Sequence, residues 1–144
     1  MKKLVSYVPL TLLLILASRR NGVTQDKNET INDENTRVVY FEELRYPLSA
    51  RVTHIQGIVV VKVILDNSGR VVDSLAISGA KTLVTESVSN AKNWRFQPSP
   101  QKAAVIVYQF RIDDGLCHGA VSSNFIFHPP NFASITSCEP VVEP

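Results

Sequence analysis

The residues best able to do chemistry are two cysteines, Cys117 and Cys138, and three histidines, His54, His118 and His128. Such a set could form a disulfide, hold zinc, or pair a thiolate with a base. Zinc binding needs ligands at regular short spacings. Cys117-His118 with His128 ten positions on offers neither C-x-x-C nor H-x-x-x-H, so no metal site is expected. An even cysteine pair in an exported chain ordinarily ends as a disulfide, and closing a loop of about twenty residues would contribute ~3 kcal/mol on the chain-entropy account. Nor does a catalytic group stand out. There is no G-x-S-x-G elbow, no H-E-x-x-H and no phosphate-cradling glycine run. Asp66 and the Asp113-Asp114 pair adjoin glycines in turn-like segments, and His54 falls beside an apolar helix face, where a hydrogen-bonded histidine is the common case. The expectation is a non-enzyme with no cofactor.

The elements that would carry these residues are legible from Tyr46 onward. Pro47 can open a short helix because its missing N–H would be unpaired there anyway. Leu48, Val52 and Ile55 recur at helical spacing, and Gly57 supplies a stop. Residues 57–65 are almost all apolar and β-branched, too short for a membrane span, and read as a strand. Asp66, Asn67, Ser68 and Gly69 then reverse the chain into a second strand, Arg70 to Ser78, making a hairpin. Leu83, Val84, Val88 and Ala91 mark one face of a second helix, with Thr82 as N-cap and Glu86 near the positive end of its dipole. A last core strand runs from Ala103 to Ile112 and puts Ala104, Ile106, Tyr108, Phe110 and Ile112 on one face. Trp94 and Phe96 suit a plug for the end of that core, a role outweighing direct ligand contact, with Arg95 turned to water.

Composition fits one modest core. The 144 residues are 44% hydrophobic and 19% charged, and a net charge of +2 without a basic cluster argues against nucleic acid as a partner. Residues 1–20 read as an export signal or short membrane anchor. Lys2-Lys3 precede an apolar run over 4–17, short of the ~20 residues that cross a bilayer as a helix. Cleavage fits that length, while a poor small-residue cleavage site and Arg19-Arg20 fit retention. Residues 21–37 are a polar linker without proline, and Asn28-Glu29-Thr30 within it is plain linker.

Tyr46-Pro47, Arg51, Gly57, Ser68-Gly69-Arg70-Val71, Ser78-Gly79 and Asn93-Trp94-Arg95-Phe96-Gln97-Pro98, in this order and spacing, resemble the TonB C-terminal domain, the periplasmic end of the bacterial energy transducer. The resemblance covers about half the chain. It implies an α+β fold at 38–113, a small three-stranded antiparallel sheet packed with two helices, followed by an extension at 114–144. It also implies a partner: the TonB-box peptide of an outer-membrane transporter, added alongside the final strand, with help from the segment before Tyr-Pro. Carried over, the partner-binding residues are Glu43, Leu44, Arg45 and Tyr46, with Val105, Val107, Gln109 and Arg111 on the final strand. Packing at the start of the first helix is the commoner role for Tyr46. An anchored chain would also engage a motor of the ExbB/ExbD type. The linker departs from the family's long proline-rich spacer; fully stretched it reaches only about 60 Å. The rival reading is therefore an exported structural or interaction adaptor that keeps the fold without energy transduction.

Strand addition follows from physics as well, because an edge strand offers unpaired N–H and C=O groups to a guest backbone or to a second copy in a homodimer. Segments 122–127 and 132–136 flank Pro129-Pro130 and form a second hairpin. Stapled back through Cys117 and Cys138, that hairpin would lie over the border a guest needs.

Overall fold

The structure, a computed structural model, describes residues 36–113 and 123–139. The longest unbroken apolar run becomes β2 (Gly57–Leu65), with Val59, Val61, Val63 and Leu65 buried on one face and Ile58 and Ile64 exposed on the other. Its alternation is the period-two signature of a sheet covered on one side. The turn after it is built by Asp66, whose Oδ1 accepts from the Ser68 amide (2.8 Å), the Ser68 hydroxyl (2.7 Å) and the Arg70 amide (3.0 Å). Those donors hold its carboxyl below the usual carboxylate range, the Ser68 hydroxyl bond first among them. Gly69 sits at φ +79°, and a Cβ there would collide with the Phe96 carbonyl, so no other residue fits. The chain returns as β3 (Val71–Ser78), antiparallel to β2.

Helix α2 (Lys81–Ala91) packs on β2 and β3 through Leu83, Ser87 and Ala91, and the Ser74 hydroxyl donates to the Val88 carbonyl (3.0 Å). It starts two residues earlier than the capping pattern predicts. Ala80, extended and without a side-chain cap, is the N-cap; Thr82 is inside the helix and Glu86 lies past the first turn. Just before the helix Gly79, at φ +137°, passes so close to Val59 that an added Cβ would stand 2.8 Å from Val59 Cγ2.

Helix α1 (Leu48–Val52) is shorter than its spacing suggests, and its buried residue is Ala50, while Leu48 and Val52 are exposed. Pro47 is its N-cap, outside the first turn. The stop comes at His54, in the left-handed region at φ +54°, well before Gly57. The Ile55 amide donates to the Ala50 carbonyl (2.8 Å) and the His54 amide to that of Arg51 (3.2 Å), the bond pattern of a Schellman cap with histidine where glycine is usual.

The sheet is larger than three strands. β5 (Ala103–Asp113) pairs antiparallel with β2; β7 (Phe132–Cys138) pairs parallel with β5; β6 (Ser123–His128) closes the far side, giving the order β3-β2-β5-β7-β6. A separate two-stranded sheet joins β1 (Val38–Tyr40) to β4 (Arg95–Phe96). Strands of two and three residues carry too little alternation to be read from sequence. The α+β class with two helices holds, and the hairpin β6–β7 extends the same sheet because Ala133, Ile135 and Ser137 continue its buried face.

One buried side chain organises the middle of the core. Asn90 accepts from Trp94 Nε1 and from the Tyr108 hydroxyl, both at 2.9 Å, and donates to the Glu42 carbonyl at 3.0 Å. Burial pushes the Tyr108 phenol far above its ordinary pKa, so it acts as a neutral donor. Trp94 meets Tyr108 edge-on at 5.9 Å and Phe127 of β6 at 5.6 Å, linking α2's end to both halves of the sheet. No helix among the described residues is long and apolar enough to cross a membrane. The signal or anchor at 1–20 and residues 21–35 of the linker at 21–37 lie outside the described residues; its last two residues belong to the folded domain instead, Thr36 being buried and the Arg37 carbonyl accepting from the Gln97 amide (2.7 Å).

Candidate functional site

The border of β5 facing away from β2 is the place where a guest strand was expected. β7 occupies it. Val107 to Asp113 stand opposite Phe132 to Cys138 in continuous parallel register. The end of this ladder is sealed by Asn131, whose carbonyl accepts from the Val107 amide (3.0 Å) and whose Nδ2 donates to the Val105 carbonyl (2.9 Å). Val105, Val107, Gln109 and Arg111 all point to the sheet face away from the helices, the first three half-buried and Arg111 exposed. Their backbone is the part a guest would need, and β7 uses it from Val107 on.

The segment before Tyr46 lies on the opposite, helix-side face. Phe41 stacks with Phe125 at 5.7 Å and meets Phe127 at 4.8 Å, and the Tyr46 amide donates to the Ser123 hydroxyl (3.0 Å). Tyr46 also donates its hydroxyl to the Ile55 carbonyl (2.7 Å) and sets its ring edge-on to Phe110 at 5.4 Å; burial raises its pKa. Leu44 and Tyr46 are therefore core side chains, while Glu43 and Arg45 are exposed. The fold does not bring the two expected groups of side chains onto one surface. It joins both to the hairpin instead: β7 on the β5 backbone and β6 under the segment that precedes Tyr46.

Cys138 ends β7 and is not a free thiol. Its expected partner Cys117 lies outside the described residues. Beside it the exposed Glu139 carboxylate lies 3.6 Å from His54 Nε2. Among the described residues no group of three His, Cys, Asp or Glu side chains could hold a metal ion.

The motifs Ser68-Gly69-Arg70 and Trp94-Arg95-Phe96, far apart in sequence, meet in space. The Phe96 amide donates to the Gly69 carbonyl (2.8 Å), and Arg70 faces Arg95 across an antiparallel bridge. The sequence profile described as Gram-negative bacterial TonB protein C-terminal matches residues 42–113, half of the chain. The chain belongs to this family. No curated protein matches it. The solution NMR structure of Pseudomonas aeruginosa TonB CTD is similar over 55% of this chain and 88% of that one, at 23% identity and a TM-score of 0.43.

The TonB C-terminal match ends at Asp113, at the last residue of β5, so the strand that covers β5 lies beyond it. Two features of this family member escaped the reading of its sequence. Asn131 follows Pro129-Pro130 in a short turn, where an asparagine reads as ordinary turn chemistry. The sequence reads Arg70 as the start of the second strand and Arg95 as a solvated residue within a core plug, and no periodicity pairs these two places.

Proposed function

We propose that this TonB C-terminal family member is a periplasmic protein-binding module linked to energy transduction for outer-membrane transport, which recognises an extended peptide by strand addition along β5. The observation that supports this reading is the pairing of β5 with β7: the border accepts an extended strand over Val107 to Asp113, and the strand it holds is the chain's own. β7 and β6 then act as a built-in occupant. A guest would replace the backbone bonds of β7 but must also displace the fully buried Ile135, worth about 1.5–3 kcal/mol, and the aromatic contacts of the partly buried Phe125 and Phe127. The partner is the TonB-box segment of an outer-membrane transporter or another envelope protein. An ExbB/ExbD-type motor enters only if residues 4–17 keep the chain in the inner membrane.

The same occupied border favours a second reading, an exported adaptor with the TonB C-terminal fold and no energy-transducing role. Calorimetric titration of a strand-forming TonB-box peptide distinguishes them, using the full chain and a Phe127→Ala/Ile135→Ala variant whose hairpin is loosened. Gating by the hairpin predicts at least about tenfold tighter binding by the variant, one factor of ten for each ~1.4 kcal/mol of relieved competition. Equal affinity removes the gating, and absence of binding to either protein leaves the adaptor reading.

A further inference from the structure

Where the two motifs meet, the surface carries a groove of about 720 Å³ bounded by Tyr40, Glu42, Arg70, Lys92, Asn93 and Arg95. Three cations and one carboxylate line it. Among the described residues the one acid–base contact within salt-bridge distance is that of His54 with Glu139, so no described carboxylate lies within that distance of Arg70, Lys92 or Arg95. Asp73, three residues after Arg70, accepts from the Ser74 amide, and Asp66, four before it, is engaged by the Ser68 hydroxyl and the Ser68 and Arg70 amides of the turn, with the Arg70 charge adding a minor pull on it.

The placement of the two arginines is unfavourable for folding by itself. Residues opposite each other on antiparallel strands hold their side chains about 4.5–5.5 Å apart, and like charges there repel. The fold nevertheless imposes that arrangement rigidly. The Phe96 amide bonds the Gly69 carbonyl, the buried Gly69 leaves no room for a side chain, and the adjoining Trp94 is locked to Asn90. Two arginines are thus rooted opposite each other on one face, with Lys92 at the carbonyl end of α2 as a third cation lining the groove. Such a cluster suits carboxylates, since guanidinium groups bind them bidentately.

We infer that this groove binds an acidic peptide segment, with Arg70 and Arg95 each pairing a carboxylate and Lys92 adding charge at one end. Its volume is far more than a lone phosphate needs, which favours a chain of residues over a small anion. Its concavity, with Glu42 on the wall, is unsuited to a flat anionic bilayer. Tyr40, half-exposed at 53%, supplies an aromatic surface against which the peptide can lie. The groove shares no residue with the β5 border and does not depend on strand addition there.

The test uses the full chain at low salt, with an end-blocked octapeptide of alternating Glu and Ala as the probe and its Gln counterpart as control. Amide chemical shifts during titration locate the site, and calorimetry gives the affinity. The expected result is saturable binding of the Glu peptide with shifts around Arg70 and Arg95, none with the Gln peptide, and weakening as salt rises. Arg70→Gln and Arg95→Gln should each weaken binding about tenfold, the scale of one charge-assisted contact. Lys92→Gln, exposed at the helix end, provides a milder variant if either arginine change disturbs the fold by thermal melt. Inorganic phosphate and phosphatidylglycerol vesicles are run in parallel. Absence of saturation, an affinity indifferent to all three variants, or phosphate or vesicles binding as tightly as the peptide would each overturn the assignment.

Discussion

The two halves of the sheet are assembled by different means. β3, β2 and β5 are all antiparallel: β2 and β3 are joined by a tight hairpin, and β5 returns after α2 to pair with β2. β7 and β6 arrive from beyond Asp113 and attach through a parallel pairing, which no short turn can dictate. The first half is held by its own neighbours. The second is held by what it finds: a free border on β5, the Asn131 seal, and the aromatic cluster of Phe41, Phe125 and Phe127. A border that is left open by the local architecture is available to any strand, and that availability is the property from which both the self-pairing and the proposed guest binding arise.

Trp94 touches both halves, so its loss should have the largest effect. Trp94→Ala removes its ring contacts with Tyr108 and Phe127 and leaves Asn90 short of a donor, and should cost about 3–5 kcal/mol in urea unfolding. A loss under about 1 kcal/mol would mean that the halves are not tied through this ring. Ile135→Ala strikes the attached half alone. It should cost about 2–3 kcal/mol, the low end for such a truncation because a strand near the border can relax, and should raise amide exchange in β6 and β7 more than in β2. Uniform acceleration across all five strands would contradict the division into halves. Asp66→Ala acts at the far corner of the family half and should have the smallest effect. The folded carboxyl titrates below its ordinary value, so its contribution is complete above that value and is lost as pH falls through the lowered one. The variant should therefore show a flatter acid limb than the native chain when unfolding is compared at about pH 6 and pH 3. Parallel acid limbs would remove the turn carboxylate from the pH dependence.

Residues 57–78 were legible because their chemistry is local. Asp66 caps its own turn and Gly69 takes the left-handed conformation, as the residue types require. The buried face of β5 was legible for the same reason, with Ala104, Ile106, Tyr108 and Phe110 all inside. Helix ends were not. Gly79 against Val59 and His54 in a left-handed cap are set by contacts and backbone geometry that spacing does not report. Of the candidate site, the strand carrying Val105, Val107, Gln109 and Arg111 was placed by alternation, and the residues ahead of Tyr46 only by resemblance. Leu44 and Tyr46 proved to be core because the hairpin supplies Ser123 and the aromatic floor beneath the segment.

Sequence alone determined the hairpin, the two helices, the buried alternation of the last family strand and the family itself, since each rests on side chains acting within a few residues of one another. The tertiary structure decided what stands beside β5 and what faces what across the corner at Gly69. A strand's free backbone edge carries no side-chain signal of its eventual neighbour, and Arg70 meets Arg95 only because the turn and the two-residue strand close on each other in space.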